Sequence, residues 1–223
     1  MRLLLHAVTT TEPAALPPVG LRGQPLIVVR HAEMSAYASC FDAPVEHFGR
    51  ADLLAHHDIV SSLSAQIDVL PARFPTWLAD EDALRAELER RQADFGAALE
   101  RVRGRVEIAV TVMWTDEPDD QRAPEAPTPG RKYLLGRQQA FTGSDKRRAR
   151  GRQLAAELAR LVSDDLVEIR HQVCPSPSVA LSSAVLVPRA SAENVRKRIT
   201  RTEHDVRILI NGPWPPYTFA DVV

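Results

Sequence analysis

The sequence predicts an α+β chain in two parts, and three observations predict it. From Arg105 on, segments with a two-residue hydrophobic period alternate with segments of helical period. Before that, short apolar runs suited to strands stand beside helical stripes in a less regular order. Between the two lies the clearest helix of the chain, which stops at Gly104. The parts are therefore residues 1–104, a mixed α+β domain, and residues 105–223, a second domain that includes the C-terminal tail.

In the first part, Leu3–Val8 reads as a buried strand and Thr9–Gly23 as a loop rich in proline and glycine. Leu26–Arg30 is a second strand, and Ser35–Phe41 is suited to pair with it. Asp52–Leu63 carries a partly apolar helical face. Asp68–Leu70 is a brief strand that Pro71 closes. Asp80 caps one long helix, with Glu81 and Asp82 at its positive end. Leu84, Leu88, Phe95, Leu99 and Val102 form its apolar stripe.

In the second part, Val106, Ile108, Val110 and Val112 alternate with more polar residues, as in a half-buried strand. Thr115–Gly130 is a polar loop with five acidic residues and four prolines. A helical stretch follows over Arg131–Ser163, with possible interruptions at Gly143 and Gly151. Leu166–Val173 and Val179–Val187 are strands, punctuated by Pro175, Pro177 and Pro188. Ser191 suits the cap of a short helix carrying Val195 and Ile199, and Val206–Ile210 alternates again. The order βαββαβ is that of a ferredoxin-like sandwich, four strands with two helices on one face.

A net charge of −1 gives no global attraction to nucleic acid or membrane. No apolar run reaches the roughly 20 residues that span a bilayer. The N-terminus lacks a secretory pattern. Cys40 and Cys174 are too few for a disulfide framework and have no partners at zinc spacing, so they read as small buried residues. These features indicate an intracellular, cytoplasmic protein.

Candidate chemistry is sparse. Leu26–Glu33 ends in Arg30-His31-Ala32-Glu33, which resembles the histidine phosphatase motif, where a histidine attacks phosphorus and an arginine holds the phosphate. That motif belongs on a first strand leading into a helix and needs a second arginine and histidine. Here it falls on the second strand, followed by extended chain, so a hydrolase resting on Arg30, His31 and Glu33 is the alternative reading only. His56 and His57 are about 100° apart on a helix and do not chelate together; one partly buried ring is the simpler expectation. No glycine-rich phosphate loop, nucleophile elbow or metal spacing is present, so no catalytic, cofactor-binding or metal residue is expected. The basic run Arg131–Arg152 has only Tyr133 and Phe141 as interleaved aromatics, thin for a single-strand binder. A cationic face meeting the acidic loop, or an acidic protein partner, accounts for it with fewer assumptions.

The tail Gly212-Pro213-Trp214-Pro215-Pro216-Tyr217-Thr218-Phe219 is distinctive. Its prolines fix φ and remove backbone donors, so it is expected to leave the sheet extended. Its aromatics then bury large areas, with Trp214 packed as a clasp; the rival reading is an exposed recognition surface.

This tail resembles the closing signature of the gas vesicle GvpL/GvpF proteins. Other stretches agree in order: Leu16–Gly20 with an early loop, Asp52–His56 with the first helix, Val69–Phe74 followed by Thr76, and Gly130-Arg131-Lys132-Tyr133-Leu134-Leu135. Pro75 stands where the family usually has glycine. The signature residues are Arg73, Phe74, Gly130, Arg131, Tyr133, Leu134, Gly212, Pro213, Trp214, Pro215, Pro216, Tyr217 and Phe219. The resemblance implies a two-part α+β fold with a ferredoxin-like portion and no enzyme activity or cofactor. It implies a minor structural component or assembly factor of gas vesicles. Its partners would be the hydrophobic shell protein and other vesicle accessory proteins, rather than nucleic acid, membrane or a small-molecule substrate, and its location the vesicle and the cytoplasm.

Overall fold

The computed structural model describes residues 1–43, 45, 47–115, 129–201 and 206–220, with the backbone alone over 129–144. It forms two compact units, Met1–Glu107 with Trp214–Val223, and Ile108–Pro213. The tail thus belongs to the first unit and not, as the sequence division suggested, to the second. The reason is that Pro215, Pro216 and Phe219 are apolar groups buried within the first unit.

In the first unit, β1 (Arg2–Thr9), β2 (Leu26–His31), β3 (Met34–Phe41) and β4 (Leu70–Leu78) form one sheet in the order β2-β3-β1-β4. β1 pairs antiparallel with β3 and β4, and β2 pairs antiparallel with β3. From Leu3 to Thr9 β1 is buried at every position, so both its faces are covered. Helix α1 (Arg50–Ser64) packs on β1 and β4, and α2 (Glu81–Arg90) packs on β2, β3 and β4. Leu4, Tyr37, Phe41, Val60 and Leu63 share one cluster of the core.

Two expectations for this unit are corrected. Pro71 does not close a strand: β4 runs from Leu70 to Leu78. β4 is an edge strand, so a missing N–H at Pro71 or Pro75 is tolerated, and the register with β1 shifts between Leu5 and Ala7. The long helix from Asp80 is two helices, α2 and α3 (Gln92–Val102), joined at Arg91 with φ −114° and ψ 19°. Asp80 does cap α2, its carboxylate accepting the Ala83 N–H at 2.8 Å. All five stripe residues from Leu84 to Val102 are buried.

In the second unit, β5 (Arg105–Met113), β6 (Glu168–Ser176), β7 (Val179–Pro188) and β8 (Arg207–Trp214) form a sheet in the order β6-β7-β5-β8. With α4 (Pro129–Leu161) and α5 (Ala192–Arg201) the chain order is βαββαβ, and the strand order is the ferredoxin-like one. Helix α4 packs on β6 and β7 and against α5. Pro175 lies inside edge strand β6, beside a register shift between Val173 and Ser176. The acidic stretch 116–125 lies outside the described residues.

Glycine does not interrupt α4, which runs unbroken through Gly143 and Gly151. Gly151 serves packing instead. A Cβ there would stand 2.7 Å from Val173 Cγ1 and 2.9 Å from the Ala180 carbonyl oxygen. Only a residue without a side chain lets the helix approach β6 and β7 this closely. Gly151→Ala should therefore lower stability by about 1–3 kcal/mol through overpacking, despite alanine's higher helix propensity. Thermal melting of the full chain checks this, and an unchanged or raised midpoint would contradict it.

The tail also departs from expectation. β8 continues through Pro213 to Trp214 rather than leaving the sheet at Pro213. As the last strand in the order it tolerates a missing donor. Gly212 supplies φ +102°, which only glycine adopts readily. Trp214 is not the buried clasp: it is 37% exposed, whereas Phe219 is fully buried. The buried Glu107 carboxylate holds the segment by accepting both the Thr218 N–H and its hydroxyl at 2.7 Å. Arg101 donates to the Phe219 carbonyl. Phe219→Ala should cost about 3–5 kcal/mol, and Trp214→Ala clearly less. Paired denaturant midpoints for the two variants decide this, and the reverse order would restore Trp214 as the clasp.

Candidate functional site

The site lies within the first unit, where α1, β4 and the tail meet around a groove of about 790 Å³. Leu53, Leu54, His56 and His57 come from α1, residues 71–74 from β4, and Trp214, Tyr217 and Ala220 from the tail. Adjacent helical residues diverge by about 100°, and this divides the two histidines. His56 is buried to 1% exposure and His57 is half-buried, and both line the groove. Leu53 and Leu54, 52% and 51% exposed, present apolar side chains to solvent.

Helix α1 is anchored at its start. The Asp52 carboxylate accepts the Gly49 N–H at 2.8 Å, satisfying one of the free donors of the first turn. It also takes a two-pronged bond from Arg22, at 2.6 and 2.8 Å. The Arg22 bonds and then the Gly49 bond hold the Asp52 carboxyl down to about 2. Arg22 also lies over the Phe48 ring.

Beneath the groove runs a chain of buried polar groups that the sequence reading did not assemble. Leu21 N–H donates to Ser39 Oγ at 2.7 Å. Ser39 Oγ lies 2.6 Å from His6 Nε2, and His6 Nδ1 lies 2.9 Å from His56 Nδ1. His56 Nε2 faces the Ala72 carbonyl at 3.3 Å. That carbonyl can only accept, so His56 carries its proton on Nε2. In a neutral ring Nδ1 then accepts, which places the His6 proton on Nδ1 and leaves His6 Nε2 to accept from the Ser39 hydroxyl. Every member is bonded and all donations run one way. Gly20 belongs to the same device, since a Cβ there would stand 2.3 Å from Ser39 Oγ.

Both rings are held neutral. Burial, with the neighbouring His56, lowers His6 to about 3, and burial lowers His56 to about 4. Protonating His56 would also set two N–H groups against each other across the 2.9 Å contact. The sequence signal for His6 was its place in the apolar run Leu3–Val8, where a polar ring needs buried partners.

His57 is hydrogen-bonded to the Tyr217 hydroxyl at 3.1 Å and to Ser61 Oγ at 3.2 Å, and Trp214 meets it edge-on at 4.7 Å. Phe74 packs between His56, at 4.9 Å, and Phe48, at 4.8 Å. The groove thus gathers Arg73, Phe74, Trp214 and Tyr217 from the signature residues. Pro215, Pro216 and Phe219 are buried behind it, and Gly212 and Pro213 are in β8. Gly130, Arg131, Tyr133 and Leu134 are in α4, and their side chains lie outside the described residues.

The Arg30-His31-Ala32-Glu33 motif is elsewhere. His31 pairs with Met34, so Ala32 and Glu33 make the two-residue turn between β2 and β3, with Ala32 at φ +48°. Arg30 is exposed and bonded to Glu12 at 2.7 Å. The motif leads into a hairpin rather than the helix a phosphatase strand enters. Among the described residues no group of three or more His, Cys, Asp or Glu is placed to hold a metal ion. Cys40 and Cys174 are free and half-buried, less enclosed than expected. Of the basic run, Lys146, Arg148 and Arg152 are exposed, and Arg150 pairs with Glu157 at 3.1 Å.

Two four-stranded sheets, each with packed helices, define a two-unit α+β protein whose first unit carries an apolar groove closed by an aromatic tail. Residues 3–221 match the family model described as gas vesicle synthesis protein GvpL/GvpF, and the chain belongs to this family. It is 30% identical to gas vesicle protein L of a Streptomyces species, over 98% of this chain and 92% of the relative. It is 27% identical to gas vesicle protein F of the same strain, over 99% and 100%. The crystal structure of GvpF from an Anabaena species superposes with a TM-score of 0.77 at 16% identity, covering 98% of each chain. GvpF from Microcystis aeruginosa gives 0.75 at 15%, again over 98% of each. The family places the chain in gas vesicle formation, among gas vesicle proteins rather than a known enzyme family. Among the described residues no helix is long and apolar enough to cross a membrane.

The buried histidines set a pH dependence. Their folded-state values lie below the ordinary 6.5, so the unfolded chain binds protons first as pH falls. Their contribution is complete above pH 6.5 and is lost between there and about 3–4, by up to about 1.4 kcal/mol per pH unit for each ring. Urea unfolding at pH 7.5 and 5 should show this loss, and His6→Gln should flatten it. A pH-independent midpoint would contradict neutral buried rings.

Proposed function

We propose that the protein is a minor structural component or assembly factor of gas vesicles that engages the hydrophobic shell protein in the cytoplasm, together with other accessory proteins. The observation that carries this is the family match over residues 3–221, nearly the whole chain. The physical logic supports it. Strongly apolar shell subunits aggregate unless held before they polymerise, and a folded partner presenting apolar surface can hold them. The protein acts by binding, not catalysis. The signature residues work structurally: Phe74 and Phe219 pack, the Pro213–Pro216 run directs the tail, and Trp214 and Tyr217 shape the groove.

The test removes this gene from a complete gas vesicle gene set. Vesicles seen by electron microscopy should disappear or fall sharply, the gene supplied in trans should restore them, and the tagged protein should capture co-expressed shell protein. Normal vesicles without the gene would overturn the reading. His31→Ala should support vesicle formation like the parent; phosphatase activity lost with that substitution would instead favour the hydrolase.

A further inference from the structure

We infer that the groove between α1, β4 and the tail is where the shell protein docks, and that its occupant is an apolar segment carrying a carboxylate that pairs with Arg73. This rests on the reading that the protein engages the shell protein. Three features of the first unit carry it. Leu53, Leu54 and Trp214 are three of the eight exposed large apolar side chains among the described residues, and all three border this one groove. Apolar groups gathered at one place, rather than scattered singly, mark an interaction surface.

The polar groups of the groove are already committed. His56 is bonded to His6 and Ala72, and His57 to Tyr217 and Ser61. A small polar ligand would find few free groups to orient it, although the volume is within the usual range of ligand clefts, about 300–1,000 Å³. Arg73 is the exception. It is exposed at the groove, and its guanidinium has no ion-pair partner among the described residues. A single free cation beside apolar side chains is complementary to a segment with an apolar face and one carboxylate, since a guanidinium bonds a carboxylate in a two-pronged fashion. The aromatic wall of Trp214 and Tyr217, with an arginine at its side, has the composition of an interface centre.

The experiment uses the full tagged chain co-expressed with the shell protein, measuring shell protein captured per chain. Leu54→Asp and Arg73→Glu should each reduce capture at least about tenfold, with melting midpoints like the parent because both side chains are exposed. Val19→Asp, at an exposed apolar residue outside the groove, should leave capture unchanged. One carboxylate-to-arginine substitution in the shell protein should restore capture by Arg73→Glu. Full capture by both groove variants overturns the docking site while shell engagement stands. A well-folded parent that captures nothing overturns shell engagement and the site with it. Loss in Arg73→Glu that no such substitution restores overturns the carboxylate. A parent dimer that Leu54→Asp makes monomeric, with capture unchanged, gives the groove to a second copy and overturns the inference.

Discussion

The first unit depends on one run of buried hydrogen bonds, from Leu21 through Ser39, His6 and His56 to Ala72. It links the turn at Leu21–Gly23, β3, β1, α1 and β4. An unpaired polar group in such surroundings costs about 1–3 kcal/mol, so each member constrains the next. The pairing also fixes direction: one accepting carbonyl at Ala72 determines which nitrogen of each ring bears hydrogen. Helix α1 is thereby held in one rotational setting against the sheet, with the buried His56 bonded to β1 and β4, and His57, Leu53 and Leu54 along the groove.

The tail completes what that setting begins. Phe219 supplies the burial, Glu107 supplies the hydrogen bonds, and Pro215 and Pro216 leave the chain little freedom between them. Trp214 and Tyr217 are then delivered beside His57. Proline, glycine and aromatic residues have distinct tasks in these eight positions. Stability lies in Phe219 and Thr218; exposure lies in Trp214.

The second unit shows the same separation of fold from surface. Its βαββαβ order follows from hydrophobic period alone, and Gly151 sets how closely α4 approaches β6 and β7. A glycine in a helical pattern reads from sequence as a break. In the structure it is a contact, because the neighbour lies far along the chain and leaves no local trace.

The sequence by itself determined the family and most of the elements, though not the extent of β4 or the break between α2 and α3. Alternation in 105–113, the stripe from Leu84 to Val102, the Asp80 cap and the tail motif are local patterns, and local patterns express burial on one face and backbone permission. Tertiary structure alone decided the rest. Proline was tolerated in β4, β6 and β8 because each is an edge strand, and strand order cannot be read from strand residues. Trp214 was left outside and Phe219 buried because the turn after β8 directs them differently, although both are large aromatics in one motif. His6 and His56, fifty positions apart, became a neutral pair only when β1 and α1 packed together. Which of two similar side chains meets solvent depends on neighbours distant in sequence, and that information exists only once the chain has folded.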